Sequence, residues 1–466
     1  MKKQIFFFLL LSWIHQASAQ TLIKYTNLVD VENQKILKGY DVLAENGKIV
    51  AIGKDLKSTH VQYVINGIGK WIVPGFADAH IHFFQSGGIF TRPDVIDLRK
   101  YVPYDQEIKW VHDHMEDFLR LYMTAGITSV IDVGSTFNFL QQRDSFQNKF
   151  YAPIISMTGP LLTTYIPDAF KNLGNDSPFI LMTSEEQSRE GVRSELPYKP
   201  DFIKIWYIVR GPVDSSARAS LPFVKAVIDE AHKNNLKVAV HATQRITAQL
   251  AVEAGADFLV HSVDDEIISD EFVKLLKNKN VVLSPTLIVA GNYAKVLGNK
   301  YHFTEEELKL THPVPAASVL NYPQPDTSIT NQIIRRIILP SRVAARHRAD
   351  SIMAINLKKL IDGGVIIATG TDAGNIGTQH ASSFFIELQA MKQAGLNNWQ
   401  LLRASTINPA KAVGQEKTWG SISVGKMANM VLLNANPVED ISNWRKIDVV
   451  INKGVPVKMP LFISQK

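Results

Sequence analysis

His80 and His82 stand one residue apart in "GFADAHIHFF", just after an aspartate. On a β-strand side chains alternate with period two, so both rings, and Asp78 with them, would project from one face. Two imidazoles on one face can grip a single divalent metal. The motif is short, and two histidines can also fall close together without a ligand between them. Residues of related chemistry recur in other apolar runs: Lys204 in "FIKIWY", His241 in "KVAVHA", His261 in "FLVHSV" and Asp372 in "IIATGTDAG". A lone buried histidine is more often a hydrogen-bonded core residue than a ligand, and Asp372 could instead cap a helix. Lys204 is harder to explain away, because an unpaired ammonium in a strand covered on both faces is costly. An ammonium has no lone pair, so Lys204 can join a metal site only after a chemical change. Its neutral amine could add CO2 and present two carboxylate-like oxygens as a carbamate.

The elements that must position these residues alternate along the chain. Eight short apolar runs fall at 76–82, 126–133, 152–158, 202–207, 237–242, 258–263, 281–287 and 365–371. Helical stretches at 105–124, 220–234, 244–254, 269–278 and 330–362 lie between them. This order predicts an α/β fold with a parallel sheet, and eight strands suggest a (β/α)8 TIM-like barrel; a doubly wound open sheet is the alternative. In a barrel, chemistry gathers at the C-terminal ends of the strands. Segments 20–73 and 418–466 read instead as short strands and turns, with Asn46-Gly47 as a hairpin turn. Together they predict a small β-sandwich built from both terminal segments, flanking a barrel over 74–417.

A chain of 466 residues, 45% hydrophobic and 20% charged, has room for one large domain and a smaller one. Its formal charge of +6, from 50 basic and 44 acidic residues, is not gathered into a Lys/Arg run, so no nucleic-acid partner is expected. "MKKQIFFFLLLSWIHQASAQ" carries Lys2 and Lys3, an apolar stretch over 5–14, and Ala17-Ser18-Ala19. That order predicts a secretory signal peptide over 1–19, cleaved after Ala19, and a periplasmic or extracellular protein. The apolar stretch is too short to span a bilayer, so no integral membrane segment is expected after its removal. The absence of cysteine excludes a disulfide framework and a Cys-anchored lipoprotein.

The segments "VPGFADAHIHF", "FIKIW", "VAVHA", "LVHS" and "ATGTDAG", with "NPAKAVG" and "GSISVGKMANMVLLNANP", resemble the amidohydrolase superfamily of metal-dependent hydrolases. The branch suggested holds imidazolonepropionase-like proteins and prolidase-like Xaa-Pro and Xaa-Arg dipeptidases. The resemblance implies the barrel and terminal β-sandwich, and two divalent metal ions, with zinc the first choice. It places His80, His82 and Asp372 around one metal, His241 and His261 around the other, and a carboxylated Lys204 between them. Asp372 is also the expected general acid–base in attack by a metal-activated hydroxide. Two segments depart from the pattern, "VHSVDDE" and "TGPLLTTYIP", and leave the substrate open.

Tyr207, Arg210, Arg245 and His380 are candidate substrate contacts, the arginines because they can fork onto a carboxylate. Each could equally serve the surface or a loop. The long connection 288–329, with a Thr304/Glu307 capping box, reads as a lid or as a decorative insertion. The leading function is an exported hydrolase of amide or cyclic-amide C–N bonds in a small molecule, such as a dipeptide or N-acyl amino acid. Competing readings are a lactonase, ester or phosphoester hydrolase on the same site, and a non-catalytic ligand-binding barrel. A homo-oligomer is compatible with all three.

Overall fold

The structure, a computed structural model, describes residues 20–458; the expected leader over 1–19 lies outside the described residues. The chain begins with five strands, β1 (Gln20–Asp30), β2 (Lys35–Glu45), β3 (Lys48–Gly53), β4 (Val61–Asn66) and β5 (Trp71–Pro74). Asn46 and Gly47 join β2 to β3 with φ of 51° and 78°, the left-handed pair that matches the twist of a two-residue hairpin. β1 pairs antiparallel with β2 along one edge. Its other edge holds two parallel partners, β4 beside residues 20–24 and β5 beside 27–28. A left-handed Tyr25 (φ 58°) breaks the register there and lets one edge serve two neighbours. The turn from β4 to β5 hugs β1: a Cβ on Gly67 would lie 2.6 Å from the Thr26 Cβ and 2.8 Å from the Lys24 carbonyl oxygen.

The middle of the chain is built on parallel strands. β6 (Phe76–Ile81), β7 (Ile127–Asp132) and β8 (Ile154–Met157) form one sheet. β9 (Leu161–Thr163), β10 (Phe179–Leu181), β11 (Ile203–Trp206), β12 (Val238–His241), β13 (Phe258–Val260), β14 (Val282–Ser284) and β15 (Ile366–Ile367) form a second, in the order β10-β9-β11-β12-β13-β14-β15. Each of the eight apolar runs contains one strand; β9 and β10 are additional. Beyond β15 the chain lies against β6: Ala79 N donates to Thr369 O at 2.8 Å, Asp372 N to His80 O at 2.7 Å and His82 N to Ala373 O at 2.8 Å. At the other margin, Asp201 N donates to Met157 O at 2.9 Å.

Alternation sorts the strands' side chains onto two faces. Ile203, Ile205, Val238 and Val240 join the large core under the helices, while Ala77, Ala79, Phe202, Ala239, Phe258 and Ala368 form a separate cluster. The helices Tyr104–Thr124, Val213–Lys233, Arg245–Ala254 and Asp270–Asn278 cover the first set.

Two helical regions differ from expectation. The stretch 330–362 is two helices, Thr327–Ile337 and Pro340–Asp362. Pro340 cannot continue a helix but starts one well, and it holds Leu339 extended at ψ 132°. The connection after β14 is largely helical, with Val289–Leu297, Glu305–Leu308 and Pro313–Leu320. The Thr304/Glu307 capping box is formed. This insertion packs through Val296, Leu297, Val319 and Tyr322 onto Ile89, Ile96 and Leu98.

The chain returns to the first sheet with β16 (Met430–Leu433), β17 (Ile447–Asn452) and β18 (Val455–Val457). β16 runs antiparallel to β5, giving the order β18-β17-β16-β5-β1-β2-β3 with β4 on β1. The terminal segments therefore combine, and their pairing is that of one continuous eight-stranded sheet where the sequence suggests a sandwich. Among the described residues no helix is long and apolar enough to cross a membrane.

Candidate active site

Simple alternation does not hold at the end of β6. A register shift between Asp78 and Ile81 re-aims the side chains, as a bulge does. Asp78 turns to the last strand segment and accepts from Thr371 N at 3.0 Å and Thr371 Oγ1 at 2.7 Å. Burial raises its carboxyl to about 7. It is a tie between segments and does not share a face with the rings.

His80 and His82 turn instead to Asp372. The two Nε2 atoms are 3.3 Å apart, and Asp372 Oδ1 lies 3.2 Å from His80 Nε2 and 3.1 Å from His82 Nε2. Donors bound to one cation by bonds of about 2.1 Å at tetrahedral to octahedral angles stand roughly 3.0–3.4 Å apart. The triangle fits a divalent metal. His82 Nδ1 donates to Gly134 O at 2.7 Å, which leaves its Nε2 lone pair facing Asp372. His80 Nδ1 is buried without a hydrogen-bond partner among the described residues.

The other sequence candidates gather beside this triangle. The His261 ring lies 4.3 Å from that of His241 and 4.8 Å from that of His80, centre to centre, and its Nδ1 is 2.7 Å from Thr286 Oγ1. Lys204, on β11, is 1% exposed and makes no hydrogen bond or ion pair among the described residues. Burial lowers its amine to about 7 against the pull of Asp372 and Asp132. Burial also lowers His80 to about 4 and holds His241 and His261 well below the usual imidazole range. For Asp372 burial works the other way, but the adjoining His80 and His82 rings outweigh it and hold the carboxyl well below its ordinary value. The group thus sets one carboxylate beside the neutral rings of His80, His241 and His261, a donor set for a cation. Three of the residues here carry left-handed backbone, His261 at φ 78°, Thr286 at 46° and Asp372 at 62°. Such conformations cost on the order of 1 kcal/mol each and concentrate at functional sites.

His82, Lys204, His241, His261 and Asp372 line one cavity of about 250 Å3. Phe84, Leu161, Phe170, Phe179 and Trp206 give it an apolar wall, and Arg92, Tyr293 and Asn375 a polar one. Arg92 is held by Asp94, Tyr293 and Asn375, its Nη1 standing 2.6 Å from Asn375 Oδ1. Asn375 Nδ2 in turn donates to Asp372 Oδ1 at 2.7 Å. Val289, Ala290 and Tyr293 bring the start of the insertion to the cavity.

The four expected substrate contacts are placed elsewhere. Tyr207 is buried with its hydroxyl on Ala217 O at 2.5 Å. Arg210 is exposed over the Tyr165 ring, and Arg245 pairs with Glu266 at 2.8 Å. His380 has both nitrogens engaged, by Tyr122 OH at 2.9 Å and Gln85 O at 2.8 Å. The polar wall was not singled out in the sequence: Arg92 and Tyr293 sit in connections with no motif, and only Asn375, three residues after Asp372, carried a positional hint.

Comparisons with known proteins agree with this geometry. The model of the amidohydrolase family matches residues 71–457. The chain is 21% identical over 445 residues to a 5-methylthioadenosine/S-adenosylhomocysteine deaminase of Caldanaerobacter subterraneus subsp. tengcongensis, covering 89% of this chain and 84% of that one. A local match, 29% identical over 113 residues, covers 24% of this chain and 26% of an imidazolonepropionase of Thermoplasma acidophilum. The fold is shared with a solved Xaa-Pro dipeptidase bearing methionine in its active site, at a TM-score of 0.70 and 22% identity over 94% of this chain and all of that one (100%). Since the family match runs from β5 to β18 and takes in every strand that carries a candidate ligand, the chain belongs to the amidohydrolase family and is a metal-dependent hydrolase acting on carbon–nitrogen bonds.

Proposed function

We propose that this chain is an exported hydrolase that opens an amide or cyclic-amide bond in a small substrate with an apolar or aromatic group. A dipeptide or an N-acyl amino acid has that chemistry. One observation carries the reading: the donor triangle of His80, His82 and Asp372 opens onto the same cavity as an unpaired lysine and two neutral histidines. Those residues would hold two divalent ions, zinc first, which supply Lewis acidity toward a substrate carbonyl and toward water.

Asp372 takes a proton on the carboxylate oxygen outside the donor triangle and returns it to the departing nitrogen, which leaves far better as an amine than as an amide anion. Asn375 Nδ2 fixes the orientation of that carboxylate. Lys204, with its neutral amine favoured by burial, can form a nitrogen–carbon bond to CO2 and release one proton. The resulting carbamate puts an anionic oxygen donor in the cavity with the neutral His241 and His261 rings. The apolar part of the substrate rests against Phe170, Phe179 and Trp206. The activities named for the deaminase and the dipeptidase, both acting on C–N bonds, support the bond type. The hydrogen bonds from β6 to 369–373 and from Asp201 to Met157 support reading the two parallel sheets as arcs of one closed (β/α)8 barrel. Export rests on the Lys2-Lys3, apolar, Ala-Ser-Ala order of residues 1–19.

The test is a screen of dipeptides, N-acyl amino acids, cyclic amides, lactones and phosphoesters with protein supplied with zinc and bicarbonate. Turnover of amides with apolar or aromatic groups is the expected result; turnover confined to lactones or phosphoesters overturns the bond assignment. Protein recovered from its native exporter should begin at Gln20, and a mature chain that keeps Met1 overturns export.

A further inference from the structure

Away from the cavity, ligand-type side chains gather a second time, between the helix Tyr104–Thr124 and the insertion after β14. His114 and Asp117, three residues apart, share a face of that helix. His312 stands at the N-cap of the facing helix Pro313–Leu320. One donor atom from each lies within 4.8 Å of the other two. His312 Nε2 is 3.6 Å from Asp117 Oδ2. That is too long for a hydrogen bond, and close to the roughly 3.4 Å that separates tetrahedral donors bound at about 2.1 Å to one metal.

The nitrogen itself points to a ligand. His312 is 3% exposed, yet its Nε2 is buried with no hydrogen-bond partner among the described residues. Such groups are rare in native folds, and an ion is one of the things that satisfies them. On the opposite side, His114 Nδ1 donates to Trp110 O at 2.7 Å, which leaves Nε2 with its lone pair. Trp110 and Phe118 stand 5.1 and 5.9 Å from the His312 ring, centre to centre, and form an apolar shell.

We propose that His114, Asp117 and His312 form a second, structural zinc site that shares no residue with the cavity. The fourth position is left to water. The site would clip the insertion to the first helix after β6, and so hold the helix Val289–Leu297 against the cavity. Ligation through Nε2 moves the His312 ring proton to Nδ1, which now accepts Val314 N at a long 3.3 Å. That capping bond is exchanged for a bond to metal. His114, only half-buried, has the freedom to close the remaining gap.

Equilibrium dialysis against zinc, followed by elemental analysis, tests this on the full-length protein. His312→Gln, Asp117→Asn and His114→Gln should each bind one zinc fewer than the unaltered chain, whatever number the cavity holds. The rise in Tm on adding zinc should shrink in the same variants. His114→Gln is the decisive variant if the two buried substitutions do not fold, because its ring is the most accessible of the three. Equal zinc content in the unaltered protein and in folded His114→Gln overturns the site and leaves His312 and Asp117 as packed neighbours with no ion between them. Failure of the cavity to bind metal would change both totals and leave their difference as it was.

Discussion

A carboxylate asked both to bind a cation and to carry a proton must be held in one orientation, and Asp372 owes its orientation to Asn375. Asp372→Asn keeps the shape and removes the base, so kcat should fall by roughly 100- to 10,000-fold with Tm little changed. His80→Ala should likewise lose turnover and metal while circular dichroism shows the fold intact. Asn375→Ala removes the hydrogen bond that orients Asp372 and the one that holds Arg92, each to a charged group and worth about 1.5–3 kcal/mol, so kcat should fall by about tenfold or more with a smaller change in KM. A larger effect on KM than on kcat would make Asn375 a substrate contact instead. Lys204→Ala should lose metal and recover partly with a small carboxylic acid, and reconstitution of metal-free protein should depend on bicarbonate. Indifference to both would leave Lys204 a structural residue. The candidate ligands were legible because each is a polar side chain stranded in an apolar run, where folding cost alone makes it conspicuous. Arg92 and Asn375 were not, because their bond joins positions 283 residues apart and neither carries a local anomaly.

At the level of elements, the site depends on how closely the last strand segment passes the first. A Cβ on Gly370 would stand 2.8 Å from His80 N and 2.2 Å from Ser284 Oγ, and the first of these is rigid backbone. Gly370→Ala should therefore displace His80 and lower both metal content and stability, the latter by about 1–3 kcal/mol in urea denaturation.

Glu387, on the helix Ser383–Gln393, anchors the start of the insertion by accepting Leu287 N at 2.9 Å and Ile288 N at 3.1 Å. Its carboxyl would titrate near 4.5 in water and is raised to about 8, chiefly by burial. Between those values the folded chain holds a proton that the unfolded chain has released. The stability this group allows is complete below pH 4.5 and is lost as pH rises to about 8, by up to about 4 kcal/mol. The urea midpoint should drop between pH 5 and pH 8, and drop less in Glu387→Gln; equal slopes would mean that other groups govern the change. The eight strands were legible from their apolar runs. β9 and β10, at three residues each, are too short to show a period, and the break at Pro340 was hidden by helix-forming residues on both sides.

On the scale of the whole molecule, the first and last parts of the chain are one sheet, with Ile72 opposite Leu432. A ribosome delivers β1 to β5 long before β16 exists, so the outer edge of β5 stays open through nearly the whole of synthesis. Open edges recruit other strands, and late closure of so long a loop is slow. A nascent chain halted before residue 430 should keep its first 74 residues open to protease, with protection arriving only on release of the complete polypeptide. Protection of those residues in the halted chain would mean that they fold alone. For a polypeptide that threads a membrane unfolded, as proposed here, the lateness is useful: the amino-terminal sheet cannot lock on the near side while its closing strands are still being made.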